Sequence, residues 1–288
     1  AHVDCPGHAD YVKNMNSYII TGDFNTLYGN LTSIAGTKVS NGTDVFITNE
    51  DGDVKLGYSN DITRPKFAIM NPVRTFTLPP YQTAAGVTDM IMHTMERYFT
   101  HDGDMTLTTE VAEAVMRTLM DSVFAVLKNP EDYRNRAQIM WGGSIAHNGL
   151  TGCGVSDDWA THQLEHELSG MFDVTHGAGL SALWPSWARY VYKENIDCFV
   201  RFAVNVMGVK QDFKSAENTA IAGIEAMEAF FHSIGMPTGI VELIGRQVTE
   251  DEIQEMALKC SENDARTIGG FKVLNRQDMI NIYRMANK

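Results

Sequence analysis

Three histidines lie within the fifteen-residue stretch HQLEHELSGMFDVTH, which runs from His162 to His176. His162 and His166 are four residues apart, so a helix would place both imidazoles on one face, one turn apart. His176 comes ten residues after His166 and follows Thr175, a residue type that caps helix N-termini. The spacing leaves three interpretations: a metal site, a zinc peptidase with the H-x-x-E-H pattern, or histidines that only pack in a core.

A second pair with the same spacing, Asp89 and His93, lies in the apolar segment around DMIMH. Buried ionisable groups are costly unless they are paired or bound to a metal, which favours the metal site over simple core packing. A carboxylate with several neutral imidazoles suits Fe²⁺ or Zn²⁺ better than Ca²⁺ or Mg²⁺, which prefer all-oxygen ligands. Gly86 lies one turn earlier on the same face, where a ligand or cofactor could approach the backbone closely.

The peptidase interpretation would use His162 and His166 as zinc ligands, Glu165 as general base and Glu242 as the remaining ligand. It gives no role to the earlier Asp/His pair or to the third histidine of the stretch. We therefore prefer the metal-site interpretation that uses all of them.

The bulk composition narrows the classes of partner. The formal net charge of −13 argues against nucleic acid or an anionic membrane surface, because both select basic proteins. No apolar run approaches the roughly 20 residues that a membrane-spanning helix needs, and no signal peptide is recognisable at the N-terminus. The four cysteines are far apart and form no C-x-x-C pair, so we expect a cytoplasmic protein without a disulfide framework.

The chain divides into two compositional regions. Residues 1–65 are rich in Gly, Asn, Thr and Asp, with a strand-like piece DVFIT at 44–48 and a turn signal EDGD at 50–53. Residues 66–288 show helical periodicity, and we predict an all-α domain of about eight helices there. The predicted fold class is therefore mainly α, with a short strand-containing segment before it.

Capping residues predict several helix boundaries. We expect Asn129 to cap a helix that has Pro130 at its first position, and Ser215 to cap the helix through IAGIEAMEAFFHSI. TEDE at 249–252 has the spacing of a capping box. The glycines in WGGSIAHNG (141–149) indicate a helix break or a close-packing site.

Two long segments are similar to the iron-containing alcohol dehydrogenases. They are RPKFAIMNPVRTFTLPPYQTAAGVTDMIMHTMERYF and DDWATHQLEHELSGMFDVTHGAGLSALWP, and the likeness extends through GMPTGIVELIG and IGGFKVLNRQDMINIY. It covers about residues 31–288 and is strongest to the butanol-dehydrogenase-like, NAD(P)H-dependent aldehyde reductases. The resemblance implies a helical metal-binding domain preceded by a Rossmann-like domain, of which residues 1–65 would be a remnant.

The resemblance also implies a set of site residues. Matched position by position, the Fe²⁺ or Zn²⁺ ligands would be Asp89, His93, His162 and His176. His166 would lie in the active site without binding the metal, as a catalytic proton relay or cofactor contact. The implied reaction is hydride transfer between NAD(P)H and a small aldehyde or primary alcohol such as butanol, and we expect a homodimer.

The cofactor-binding part of the family pattern is incomplete. Nothing matches the family's Gly-Gly-Gly-Ser phosphate loop in the expected place, and its segment beside the nicotinamide survives in altered form as SIAGTKVSNGTD (33–44). Thr37 of that segment and Gly86 are the cofactor-binding candidates. Residues 1–15 resemble the switch II region of elongation factor Tu, yet the phosphate loop and N-K-x-D motif of a GTPase are missing. The alternative function is therefore a catalytically inert, truncated metal-binding remnant of the family.

Overall fold

The structure, a computed structural model, describes the backbone of residues 37–39, 44–49 and 54–59 and all of residues 69–103 and 105–288. The three short segments are strands β1 (Thr37–Val39), β2 (Asp44–Asn49) and β3 (Val54–Ser59), paired antiparallel in the order β1-β2-β3. The strand expected from DVFIT is confirmed as β2. Parallel pairing, which βαβ units require, does not occur among these three strands. The assignment of residues 1–65 to a Rossmann-like remnant stays a prediction, and the segment 1–15 lies outside the described residues.

The described residues from 69 onward are helical, as predicted. They form ten α-helices: α1 (Pro80–Tyr98), α2 (Thr106–Lys128), α3 (Tyr133–His147), α4 (Ala160–Phe172), α5 (His176–Val191), α6 (Ile196–Arg201), α7 (Ala216–Ser233), α8 (Ile240–Ile244), α9 (Glu250–Cys260) and α10 (Arg276–Ala286). The two beyond the expected eight are accounted for by the short helices α6 and α8, which are too brief to show a periodic pattern. No helix in the described part of the chain has both the length and the apolar character needed to cross a bilayer.

Most of the predicted caps are confirmed, and one is wrong. Ser215 caps α7 by accepting a hydrogen bond from the Asn218 backbone, and Thr249 with Glu252 forms the expected capping box of α9. Asn129 does not begin α3: it ends α2, and its side chain accepts from the Glu131 backbone in the turn that follows. Asp132 caps α3 instead, because its carboxylate accepts from the backbone N–H three residues further on.

Helix α1 runs through the middle of the helical domain and packs against α2, α3 and α5. Nearly all of its residues are buried, which explains why its sequence is apolar around most of its circumference. Beyond its C-terminal end, Phe99 stacks on Phe199 with ring centroids 4.4 Å apart, and Trp184 and Trp187 complete the aromatic core around them. The residues on α1 that carry the site are thus held in the best-packed part of the molecule.

Gly177 lets α5 approach the backbone of α1, and Gly143 packs α3 against the side chain of Met90. A Cβ on Gly177, at the start of α5, would lie 2.0 Å from the carbonyl oxygen of Ala85. A Cβ on Gly143, in α3, would lie 2.9 Å from the sulfur of Met90. Helix α3 continues without interruption through Gly142 and Gly143, so these two glycines of WGGSIAHNG serve close packing and do not break the helix.

Asp158 joins the start of α4 to the loop before α10. Its buried carboxylate accepts hydrogen bonds from the backbone N–H groups of Ala160 at 3.1 Å and of Gly270 and Phe271 at 2.8 Å. Burial, with Glu96 nearby, raises the pKa of Asp158 to about 7 against the effect of these donors. One side chain therefore fixes the entry to the helix that carries His162.

We expect Asp158→Ala to destabilise the protein by about 3 kcal/mol, because it leaves the backbone N–H groups of Ala160, Gly270 and Phe271 without this acceptor, two of them buried. Asp158→Asn keeps one carbonyl oxygen for the loop and should lose only about 1 kcal/mol. Denaturant unfolding at pH 7 measures both variants. Equal losses for the two substitutions would contradict this account of the contact.

Glu167 predicts a pH dependence of stability. Burial raises its pKa from 4.5 to about 7, while Lys259 and Arg266 act in the opposite direction. The folded protein then holds the proton of Glu167 more tightly than the unfolded chain does. The stability that this proton contributes is therefore complete below pH 4.5 and is lost as the pH rises through 7. Between pH 5 and pH 8, we expect the free energy of unfolding of wild type to fall by about 1–2 kcal/mol relative to that of Glu167→Gln. This figure allows for the partial exposure of Glu167.

Unfolding of both proteins at the two pH values measures this difference. Glu225→Gln, which removes an exposed carboxylate on α7, is the control and should show no comparable change. A constant difference between wild type and Glu167→Gln across this range would contradict the prediction.

Candidate metal centre

The carboxylate of Asp89 is fully buried in α1 and lies at the centre of a group of imidazoles. Its Oδ1 atom is 3.6 Å from Nε2 of His93, 3.6 Å from Nε2 of His162 and 3.5 Å from Nε2 of His176. These distances are too long for good hydrogen bonds. They match the separation of about 3.4 Å between two ligands that each lie about 2.1 Å from a tetrahedral ion.

Three helices bring these four side chains together. Asp89 and His93 share one face of α1, as their spacing predicted. His162 lies in the first turn of α4, and His176 is the first residue of α5, with Thr175 at the N-cap position. The close approach of Gly177 to α1 places His176 against Asp89. All four sequence-predicted metal ligands are therefore adjacent, and their binding of a metal stays a prediction.

Two buried carboxylates orient two of the imidazoles by contacting Nδ1, the ring nitrogen that does not face Asp89. Glu96 accepts from Nδ1 of His162 at 2.9 Å and from the backbone N–H of the same residue at 3.1 Å. Glu165 faces Nδ1 of His176 and also accepts from the hydroxyl of Ser169. In the neutral ring, a proton on Nδ1 leaves the Nε2 lone pair directed at Asp89. Carboxylates commonly support metal-binding histidines in this way.

The local electrostatics favour a positive charge among these groups. Burial lowers the pKa of His162, but Asp89 and Glu96 outweigh it and raise that pKa to about 9. For Asp89, burial alone would raise the pKa, while His93, His147, His162 and His176 together hold it well below its usual range. A divalent cation would satisfy the same excess of negative charge that favours a proton on His162.

The donor set fits a divalent metal ion. Among the described residues, neither oxygen of Asp89 has a hydrogen-bond donor in good geometry. Nε2 of His162 likewise has no hydrogen-bond partner in good geometry among them. Buried polar atoms in proteins almost always have a partner, and a carboxylate facing imidazole lone pairs is stable when a cation lies between them. One carboxylate with three imidazoles is a donor set that suits Fe²⁺ or Zn²⁺.

The remaining predicted site residues lie near the centre or outside the described side chains. The partly buried His166 stacks on the ring of His176, with centroids 5.7 Å apart, and does not face Asp89. Gly86 lines a small cavity between α1 and α3, together with Thr83 and Arg136. Thr37 begins β1, where only the backbone is described.

Trp159 lies three residues before His162 and borders the histidines. Its ring meets His93 and His162 edge-on, with centroids 5.2 and 5.1 Å apart, and the Arg97 guanidinium carbon lies 4.8 Å from the ring centroid. Its φ of 61° is unusual for a bulky residue. Such backbone strain is frequent where side chains are held for function.

Sequence reasoning missed three residues of this centre. Glu96 follows Asp89 by seven residues, so two helical turns place it on the same face, and this signal was available. The supporting role of Glu165 has no local signal, because its partner lies across a turn. His147 ends α3, and its Nε2 lies 3.5 Å from Oδ2 of Asp89. No other histidine or carboxylate four residues away marked it as a site residue.

The peptidase interpretation does not fit this geometry. Glu165 is buried and engaged with His176 and Ser169, so it is not placed as a general base towards a metal-bound water. Glu242 is exposed, where it contacts His232 at 3.1 Å and accepts from the backbone of Thr238 at 2.8 Å.

Comparison with known proteins points to one family. The family model described as "Fe-containing alcohol dehydrogenase family, C-terminal" matches residues 83–287. NADH-dependent butanol dehydrogenase A of Clostridium acetobutylicum is 35% identical over 243 residues, which cover 83% of this chain and 61% of that protein. NADPH-dependent aldehyde reductase YqhD of Escherichia coli is 36% identical over 212 residues, which cover 72% of this chain and 53% of that protein.

A solved structure agrees with these relatives. The crystal structure of NADH-dependent butanol dehydrogenase A from Thermotoga maritima matches with a TM-score of 0.79 and 33% identity, covering 85% of this chain and 62% of that one. The chain thus spans less than two thirds of the length of these relatives. Because the family model matches well over half of the chain, the protein belongs to the Fe-containing alcohol dehydrogenase family.

Proposed function

We propose that this protein takes part in hydride transfer between NAD(P)H and a small aldehyde or primary alcohol such as butanol, with Fe²⁺ or Zn²⁺ held at Asp89. The observation that carries the proposal is the convergence of three imidazole nitrogens within 3.6 Å of one buried carboxylate oxygen. The printed names of the relatives, an NADH-dependent butanol dehydrogenase and an NADPH-dependent aldehyde reductase, support the choice of substrate and cofactor.

In this proposal, Asp89, His93, His162 and His176 hold the metal ion. The bound ion would supply Lewis-acid polarisation of the substrate oxygen. The chain itself contributes orientation: Glu96 and Glu165 keep the protons of His162 and His176 on Nδ1, so that both Nε2 atoms remain available as donors. The burial of all these groups limits access of water to the centre.

His166 is the proposed proton relay or cofactor contact. Its ring lies beside that of His176, and the residue is partly buried, which places an imidazole next to the metal-binding groups. Imidazoles exchange protons near neutral pH, as reduction of an aldehyde requires when the alcohol oxygen takes up a proton. Gly86 and Thr37 remain the proposed cofactor-binding residues.

We expect Asp89→Ala to abolish stoichiometric metal binding, because it removes the only carboxylate of the described residues that all three predicted histidine ligands face. Metal analysis of purified wild type should give about one Fe or Zn per chain, as expected for one four-ligand site. Asp121→Ala removes an exposed aspartate from α2 and is the matched control. Equal metal content in wild type and Asp89→Ala would contradict the proposed centre.

We expect His166→Ala to lower kcat for butanal reduction by about 10²-fold and to remove one ionisation from the pH–rate profile, as for the loss of a general acid. Steady-state kinetics with NADH or NADPH between pH 5 and pH 9 measure both effects. An unchanged profile would exclude the relay role.

Calorimetric titration of the metal-loaded protein with NADH and NADPH tests the cofactor part separately. We expect one of the two to bind. If the protein binds metal but neither nucleotide, the proposed reductase activity of this chain is wrong and the inert metal-binding alternative is favoured.

A further inference from the structure

We propose that His147 is an additional ligand of the ion held at Asp89, so that the centre has four imidazoles drawn from four helices. This inference rests on the proposed metal centre and extends its ligand set. It adds a residue that neither the sequence patterns nor the spacing of the other histidines indicated.

The position of His147 is the first argument. Its Nε2 lies 3.5 Å from Oδ2 of Asp89, whereas the other three histidines face Oδ1 of the same carboxylate. Its ring is packed against that of His93, with centroids 4.0 Å apart. Asp89, His93 and His147 each offer a ligand atom within 4.8 Å of one another, Asp89, His162 and His176 form a second such group, and Asp89 joins the two.

The hydrogen bond made by Nδ1 of His147 is the second argument. Nδ1 of His147 lies 2.8 Å from the carbonyl oxygen of Gly143. A carbonyl oxygen only accepts, so Nδ1 carries a proton, and in a neutral ring the Nε2 lone pair then faces Asp89. Metal-binding histidines usually donate their other ring N–H to a carbonyl or a carboxylate in this way.

The way α3 is held is the third argument. His147 is the last residue of α3, and its side chain is only 5% exposed. One turn earlier, Gly143 packs on Met90, the residue next to Asp89 in α1. The same glycine therefore accepts from the imidazole and contacts α1 through the end of the Met90 side chain. His147 is thus positioned towards Asp89 by a helix that packs on α1, and not by a loop.

A fifth protein ligand changes which ion the centre suits. Zn²⁺ prefers four ligands and keeps one of these positions open for substrate in catalytic sites. Five protein donors leave an open position only on an ion that accepts six ligands, which favours Fe²⁺ over Zn²⁺. The additional imidazole thus favours Fe²⁺, whereas the other four residues suit Fe²⁺ and Zn²⁺ alike.

The experiment uses Co²⁺ as the probe, because it is paramagnetic and its visible absorption strengthens as the coordination number falls. In the Co²⁺-loaded protein, each imidazole bound through Nε2 carries one exchangeable Nδ1 proton with a strongly shifted NMR signal. We expect four such signals in wild type and three in His147→Leu. The variant should also absorb more strongly in the visible range and bind Co²⁺ at least about tenfold more weakly.

His147→Leu keeps a side chain of similar bulk, and it removes a hydrogen bond within its own helix and one contact of Asp89. Three other imidazoles still face Asp89, so the variant should fold. His232→Leu, which removes an exposed histidine that contacts Glu242, is the matched control and should leave all three measurements unchanged. Should His147→Leu fail to fold, the wild-type spectrum alone decides, since three shifted signals would overturn the proposal.

The outcomes also separate this inference from the proposed function. Three signals in wild type and unchanged Co²⁺ affinity in His147→Leu would mean that His147 only forms an ion pair or packs beside Asp89, while the four-ligand centre stands. If wild type fails to bind Co²⁺ and Asp89→Ala behaves identically, the centre itself is wrong and the role of His147 with it.

Discussion

The fully buried charge of Asp89 is the constraint on which the rest of this structure depends. A carboxylate enclosed by apolar helices is unfavourable unless positive charge or a metal ion compensates it. Here the compensating groups are imidazoles, and each of the contacts through Oδ1 measures 3.5–3.6 Å. The protein therefore tolerates a buried anion by surrounding it with groups that bind either protons or a divalent cation.

Small residues at the helix contacts make this arrangement possible. Gly177 lets α5 approach the backbone of α1 at a distance that any side chain would prevent, and Gly143 of α3 packs against the end of the Met90 side chain. Outside this layer, Glu96 and Glu165 orient two of the imidazoles and Asp158 fixes the start of α4. Metal-binding geometry thus arises from rigid helices in a close-packed core, which is how a donor set is held ready for an ion.

Much of this site could be predicted from the chain alone, because helical periodicity is a local property. The i,i+4 spacing placed Asp89 and His93 on one face, and the resemblance to a known family matched His162 and His176 to them. The role of His147 could not be predicted from the sequence, because it depends on how α3 packs against α1. The cap at Asn129 was wrong for a related reason: two residue types that cap well lie three positions apart, and the turn between the helices decides which one is used.

The sequence by itself determined the helical character of residues 69–288, most helix boundaries and the family. These follow from local spacing, capping chemistry and short motifs, which act between residues close together in the chain. The tertiary structure alone decided which imidazoles meet at Asp89, which ring nitrogen of each faces it, and which carboxylates support them from behind. Those properties depend on how separate helices pack, and packing joins residues such as Glu96 and His162 that are far apart in the chain.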